Sequence, residues 1–204
     1  MAQSLDRQKE TPSQTAGPYV HIGLTPNVVG IAGVYREDLG SSMVEDGTRG
    51  ERITLIVTVF DGAGAPLRDA LVEIWQADAE GFYPSPAERR GRADPHFSGW
   101  GRSAADMETG ACLFHTIKPG RVPMADGRLM APHISIWIVA RGINLGLHTR
   151  IYFPEEEEAN VSDPILARIE HRARVATLIA RRGADAYVFD VHLQGDNETV
   201  FFDS

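Results

Sequence analysis

One cysteine, Cys112, stands in 204 residues, so no disulfide can close within the chain. Stability has to come from packing, as is usual for proteins of a reducing cytosol. No apolar run approaches the roughly 20 residues that cross a bilayer, and Met1 to Glu10 has no apolar stretch of signal-peptide type. Positive charge is also short: 20 Lys and Arg stand against 28 Asp and Glu, for a net −8 and an isoelectric point near 5.3. That balance excludes nucleic acid and anionic membrane as bulk partners. Internal repeats and low-complexity segments are absent. The expectation is a soluble, cytoplasmic protein forming one domain, 1–204, large enough to bury about 70% of the surface its unfolded chain exposes.

What the chain has is alternation. Ile53, Leu55, Val57 and Val59 fall on one side of an extended segment and Thr54, Ile56 and Thr58 on the other, the pattern of a half-buried strand. Asp61-Gly62-Ala63-Gly64 breaks it, and Leu67 to Trp75 alternates again, which predicts a central β-hairpin. A second hairpin is expected from Gly99–Ala105 and Ala111–Ile117. His133 to Arg141 reads as a strand with His133, Ser135, Trp137, Val139 and Arg141 on one face, returning through Leu147 to Phe153. Tyr187 to Gln194 is the last strand. The fold class predicted is mainly β: an antiparallel β-sandwich with long loops and a short helical segment near 163–182. Asp163-Pro164 opens that segment as N-cap and first helical residue. Its five arginines read as a solvated face in preference to an anion site, and Glu155–Glu158 as a wet loop. Thr11 to Tyr19 is turn-rich and reads as an extended arm within residues 1–22.

Four runs carry a resemblance: Thr11-Pro12-Ser13-Gln14-Thr15-Ala16-Gly17-Pro18-Tyr19, Leu71 to Asp78 with Gly81-Phe82-Tyr83, Leu113 to Gly120, and Gly195 to Asp203. Together they resemble the intradiol ring-cleavage dioxygenases, from Thr11 to Phe202. These are ferric enzymes that open catechol rings between the two hydroxyls. In that family Fe(III) is held by two tyrosinates and two histidines, the histidines spaced His-x-His so that a strand's period of two aims both at one metal.

Here the matching slots are depleted. The His-x-His slot reads His133-Ile134-Ser135, Val122 stands where one tyrosine should follow Lys118-Pro119-Gly120, and Arg89 or a neighbour fills the loop slot. One imidazole cannot hold ferric iron, so no metal is expected on this chain and His133 reads as a structural histidine. The resemblance therefore points to the iron-free chain of those members built from two homologous chains. The cofactor Fe(III) would sit on a partner β chain, and the substrates would be protocatechuate (3,4-dihydroxybenzoate) and O2.

In such members the arm and an arginine of the iron-free chain reach the shared pocket. The resemblance carries substrate binding onto Thr15, Gly17, Pro18, Tyr19 and Arg141, with Arg141 and Tyr19 in the catalytic role. Arg141 lies eight residues past His133, roughly 26 Å at about 3.3 Å per residue, so the two cannot share a pocket. A metal-free sandwich that binds a small aromatic acid is the alternative. A self-sufficient dioxygenase with unusual ligands is a third reading.

Overall fold

In the computed structural model, residues 14–203 are described. Two four-stranded sheets face each other. The first runs in the order β4 (Ala111–Ile117), β1 (Arg52–Phe60), β8 (Tyr187–His192) and β7 (Arg181–Arg182). The second runs β3 (Trp100–Ala104), β2 (Leu71–Trp75), β5 (His133–Val139) and β6 (Leu147–Tyr152). All pairings are antiparallel except β1 with β8, which is parallel. Leu55, Val57 and Val59 of β1 meet Val72 and Ile74 of β2 and Ile134, Ile136 and Ile138 of β5 in one core between the sheets. β1 and β8 bury every second side chain, and β5 does so from Ile134 on, as their alternation requires. Cys112 lies in that core, where burial pushes its thiol up to about 12 and leaves no thiolate at neutral pH.

Both predicted hairpins are corrected. β1 and β2 belong to opposite sheets, joined only by a bridge between Phe60 and Pro66 before the chain crosses over. β3 and β4 likewise separate into the two sheets. The physical reason is that alternation declares a strand's buried face and says nothing about its neighbours. β1 has both edges occupied, by β4 and by β8, and neither is its neighbour in sequence. The expected return of β5 through β6 holds, pairing His133 with Tyr152 and Ser135 with Arg150.

The helical expectations are also revised. Residues Pro18–Leu24 form a short helix, α1, although the arm was expected to be extended through Tyr19. Proline at its first position has φ already set for a helix and lacks an N–H that would go unpaired there. Residues 1–13, including the first three of the predicted arm motif, lie outside the described residues. The 163–182 segment is two 3-10 turns, Leu166–Arg168 and Arg172–Leu178, preceded by helix α2 (Glu157–Ser162). The acidic run is no wet loop. Glu157 and Glu158 open α2, and Glu155 and Glu156 pair with Lys118 at 2.8 and 2.6 Å.

The Trp75-Gln76-Ala77-Asp78 stretch fastens the end of the sandwich. Buried Gln76, just past β2, donates its amide to Ile117 O (2.8 Å) and accepts from the Thr116 hydroxyl (2.9 Å), both on the opposite sheet. Buried Asp78 accepts from the backbone N–H groups of Glu80 (3.0 Å), Phe82 (2.9 Å) and Asp94 (2.8 Å), while its carbonyl accepts from Gly81 and Gly120. Gly81 has φ +85°, and a Cβ there would lie 2.2 Å from Arg121 O, so only glycine fits that turn. Asp78→Ala strips three N–H groups of their acceptor; a loss of about 3 kcal/mol is expected. Urea unfolding of the variant, with an unchanged m-value, is the measurement that checks it.

Candidate active site

Thr15 and Arg141 meet at one end of the second sheet. β5 stops at Val139, and the turn Ala140-Arg141-Gly142 that follows has Gly142 at φ +89°. The Thr15 hydroxyl accepts from Gly142 N (2.6 Å) and lies 3.5 Å from Ala140 O, so the arm is docked on the turn that carries Arg141. The Arg141 side chain is 81% exposed and its Nε lies 3.5 Å from Asp69 Oδ2. Gly17 is extended and caps α1, with no atom within 4 Å of where a Cβ would stand. Pro18 is the first residue of that helix, and Tyr19 beside it is 81% exposed.

Two residues that the sequence did not single out complete this end. His21 donates from Nε2 to Asp69 O (3.0 Å), while the Thr25 hydroxyl lies 3.4 Å from its Nδ1. α1 is thereby tied to the segment whose carboxylate holds Arg141. No motif marked Asp69, because its partners are remote in sequence. What results is an exposed surface of one cation, one phenol and open backbone, without an enclosing wall.

The relic metal slot lies at the opposite end of β5. Leu71 pairs with Val139 and Trp75 with Ser135, so Asp69 belongs to one end of the sheet and Tyr83 to the other. His133 is buried: its Nδ1 donates to Ala131 O (2.8 Å), and Nε2 has no partner among the described residues. Burial, with the Arg150 cation nearby, pushes its pKa down to about 4. Tyr152 faces it across the strands, ring centroids 5.8 Å apart, and burial together with the Asp163 carboxylate holds the phenol protonated. Asp163 itself is spent on backbone: it accepts from Ala131 N (2.7 Å), Ile165 N and Leu166 N (both 2.8 Å). It is C-cap of α2, not N-cap of a long helix, yet it still caps the 3-10 turn after it.

These residues do not fit ferric iron. Val122 is buried with Ala77 and Met130, packed by Tyr83 and Ile165, so hydrocarbon occupies the slot where a phenolate would stand. Tyr83 stacks on Trp75 (5.7 Å, 9°), and burial raises its pKa. In the loop slot, Arg90 is bound to Glu88, whose carboxyl it holds down to about 2, and to Gly81 O (2.8 Å). Ferric iron demands anionic oxygen donors, and here the Tyr83 and Tyr152 phenols are held protonated, the Asp163 carboxylate is taken up by backbone N–H groups, and the one imidazole stands beside a cation.

Comparison with known proteins gives the family. A dioxygenase family profile matches residues 26–195. The protocatechuate 3,4-dioxygenase alpha chain of Pseudomonas putida is 46% identical over 198 residues, covering 95% of this chain and 96% of that one. The beta chain of the Burkholderia cepacia enzyme is 34% identical over 174 residues, covering 79% and 73%. The solved intradiol ring-cleavage dioxygenase of Tetranychus urticae shares the fold, with a TM-score of 0.54 at 20% identity, covering 78% of this chain and 89% of that one. The chain belongs to the intradiol ring-cleavage dioxygenase family. Within that family its whole-length similarity is to protocatechuate 3,4-dioxygenase alpha chains, stronger than its similarity to the beta chain. No helix among the described residues is long and apolar enough to cross a membrane.

His133 should leave a mark on stability. Its folded pKa of about 4 lies below the ordinary 6.5, so between those values the unfolded chain binds a proton that the fold refuses. Stability therefore falls as pH drops from 6.5 and levels off near 4. The loss approaches about 3 kcal/mol, at roughly 1.4 kcal/mol per pH unit. In His133→Asn, which keeps a donor for Ala131 O, the slope of unfolding free energy against pH is expected to be shallower across that window. An equal slope in both proteins refutes the assignment.

Proposed function

We propose that this chain is the alpha subunit of a protocatechuate 3,4-dioxygenase and forms one wall of a pocket whose Fe(III) belongs to a homologous beta chain. What supports this is the coincidence of two ends. The metal slot has lost its donors, while the opposite end presents Arg141 and the docked arm outward, exposed and without a wall of their own. The Thr15 hydroxyl on Gly142 N carries the reading most directly, since it makes arm and turn one surface.

The substrate is an anion, and a guanidinium is the natural complement for its charge in a chain of net −8. Arg141 would favour the charged complex. Asp69, 3.5 Å from its Nε, orients the side chain until substrate arrives. Exposed ion pairs of this kind are worth little, so releasing Arg141 to a ligand costs about 1 kcal/mol or less. Tyr19 and the backbone at Gly17 and Pro18 would close over the ring and exclude water. Iron on the beta chain would activate the catechol toward O2. Both oxygen atoms would enter the product, giving 3-carboxy-cis,cis-muconate.

The alternative, a free-standing sandwich that binds an aromatic acid, predicts no obligatory partner. Co-expression with an iron-bearing homologue separates the two by co-purification and oxygen uptake. In the purified heteromer, Arg141→Ala is expected to raise KM or lower kcat several-fold, roughly the 1–2 kcal/mol of a charge-assisted contact, with iron content unchanged. Unaltered kinetics would remove Arg141 from the pocket. A ferric–tyrosinate absorption band in the chain purified alone would overturn the assignment of iron to the partner.

A further inference from the structure

A cleft of about 900 Å³ lies away from the Arg141 end and opens beside Ser135, between β6 and the two 3-10 turns. Arg150, Arg168 and Arg174 line it, and Ile165, Ile169 and Phe202 supply an apolar wall. This gathers two of the five arginines that the sequence reading gave to solvent, and adds a third from β6. For an acidic chain the concentration is notable, and the pairing of these cations distinguishes them. Arg174 is tied to Glu198 at 3.0 Å. Arg150 and Arg168 form no salt bridge among the described residues. The acids on the lining, Glu170 and Asp203, are exposed and pair with neither.

Arg150 is the unusual one. It is half-buried, its guanidinium lies 6.0 Å from the Phe202 ring centroid, and its Nη1 reaches the Met130 thioether at 3.4 Å. Neither partner carries negative charge. Thioether sulfur is a weak acceptor and the neighbouring Tyr152 phenol is neutral, so N–H donors remain for an anion. A guanidinium edge can give two parallel hydrogen bonds to a planar carboxylate. Beside it the apolar wall suits a flat ring. Phosphate, compact and strongly hydrated, would leave that wall wet.

We propose that this cleft binds a small aromatic carboxylate, with the carboxylate between Arg150 and Arg168 and the ring against Phe202 and Ile165. Ser135, which also lines the cleft, would supply a hydroxyl to a ring substituent. The site is separate from the Arg141 surface, at the other end of β5, and does not depend on the pairing with a beta chain. A substrate-like benzoate and its ring-opened tricarboxylate product share the carboxylate, but only the first has the ring.

Titrating 4-fluorobenzoate into the purified full chain, followed by fluorine NMR, tests this. One site is expected. Arg150→Gln and Arg168→Glu should each weaken it roughly tenfold, the worth of one charge-assisted hydrogen bond in a half-open site. Arg168 is exposed, so its variant tests the site without disturbing the fold, while Arg141→Ala should bind as the parent does. In a complex with an iron-bearing partner, the Arg168 variant should weaken one of two sites and leave the other as in the parent. Absence of binding, binding by the Arg150 and Arg168 variants as tight as the parent's, or displacement by inorganic phosphate or tricarballylate as effective as by benzoate would overturn the proposal. Failure of the dioxygenase reading would appear separately, in co-purification and in Arg141 kinetics.

Discussion

A buried amide and a buried carboxylate hold the two sheets in their relation. Gln76 reaches from the end of β2 across to Thr116 and Ile117 on the other sheet, and two residues later Asp78 gathers three loop N–H groups. Hydrophobic burial supplies most of the folding free energy but is non-directional, so it leaves the relative slide of two apolar faces loosely set. Fully satisfied polar groups in a low-dielectric interior set it, because any slip strands them without partners. The loops around Tyr83 and Val122 inherit their positions from this clamp, and so does the pocket where the family places iron.

Hydrocarbon packs the slot where the resemblance would put iron. Val122, Met130 and Ile165 fill it, and His133 remains as a neutral imidazole held by Ala131 O. Asp163 and the β5–β6 pairing hold the surrounding backbone through protein groups alone. The other end of the same strand is built differently. There the chain keeps an exposed cation, a docked arm and a short helix pinned through His21 to the segment bearing Asp69. A surface so open makes chemical sense as half of a cavity completed by another chain.

Much of the strand content was legible in the sequence. The segments at 53–60, 71–75, 111–117, 133–139 and 187–192 all lie where alternation put them, because period two is imposed by the pleat itself. Pairing was not legible. Two expected hairpins turned out to be crossovers between sheets, and β8 lies parallel to β1 from the far end of the chain. The helical segment at 163–182 was placed correctly but is two 3-10 turns, with Asp163 spending its carboxylate on Ala131 as well as on the turn it caps. Among site residues, Arg141 and Thr15 were named by resemblance, whereas Asp69, His21 and Arg150 carry no local motif.

The sequence alone determined composition-level facts and chemistry: a single thiol, one histidine where the resembled family has His-x-His, a net negative charge, and the alternation of each strand's two faces. These follow from residue identity and from periodicities that every strand obeys. Tertiary structure decided which strands are neighbours, that Thr15 meets a turn more than a hundred residues away, and that arginines read as solvated line one cleft with β6. Such pairings depend on how the backbone closes on itself, a property of the whole packed chain that no local pattern encodes.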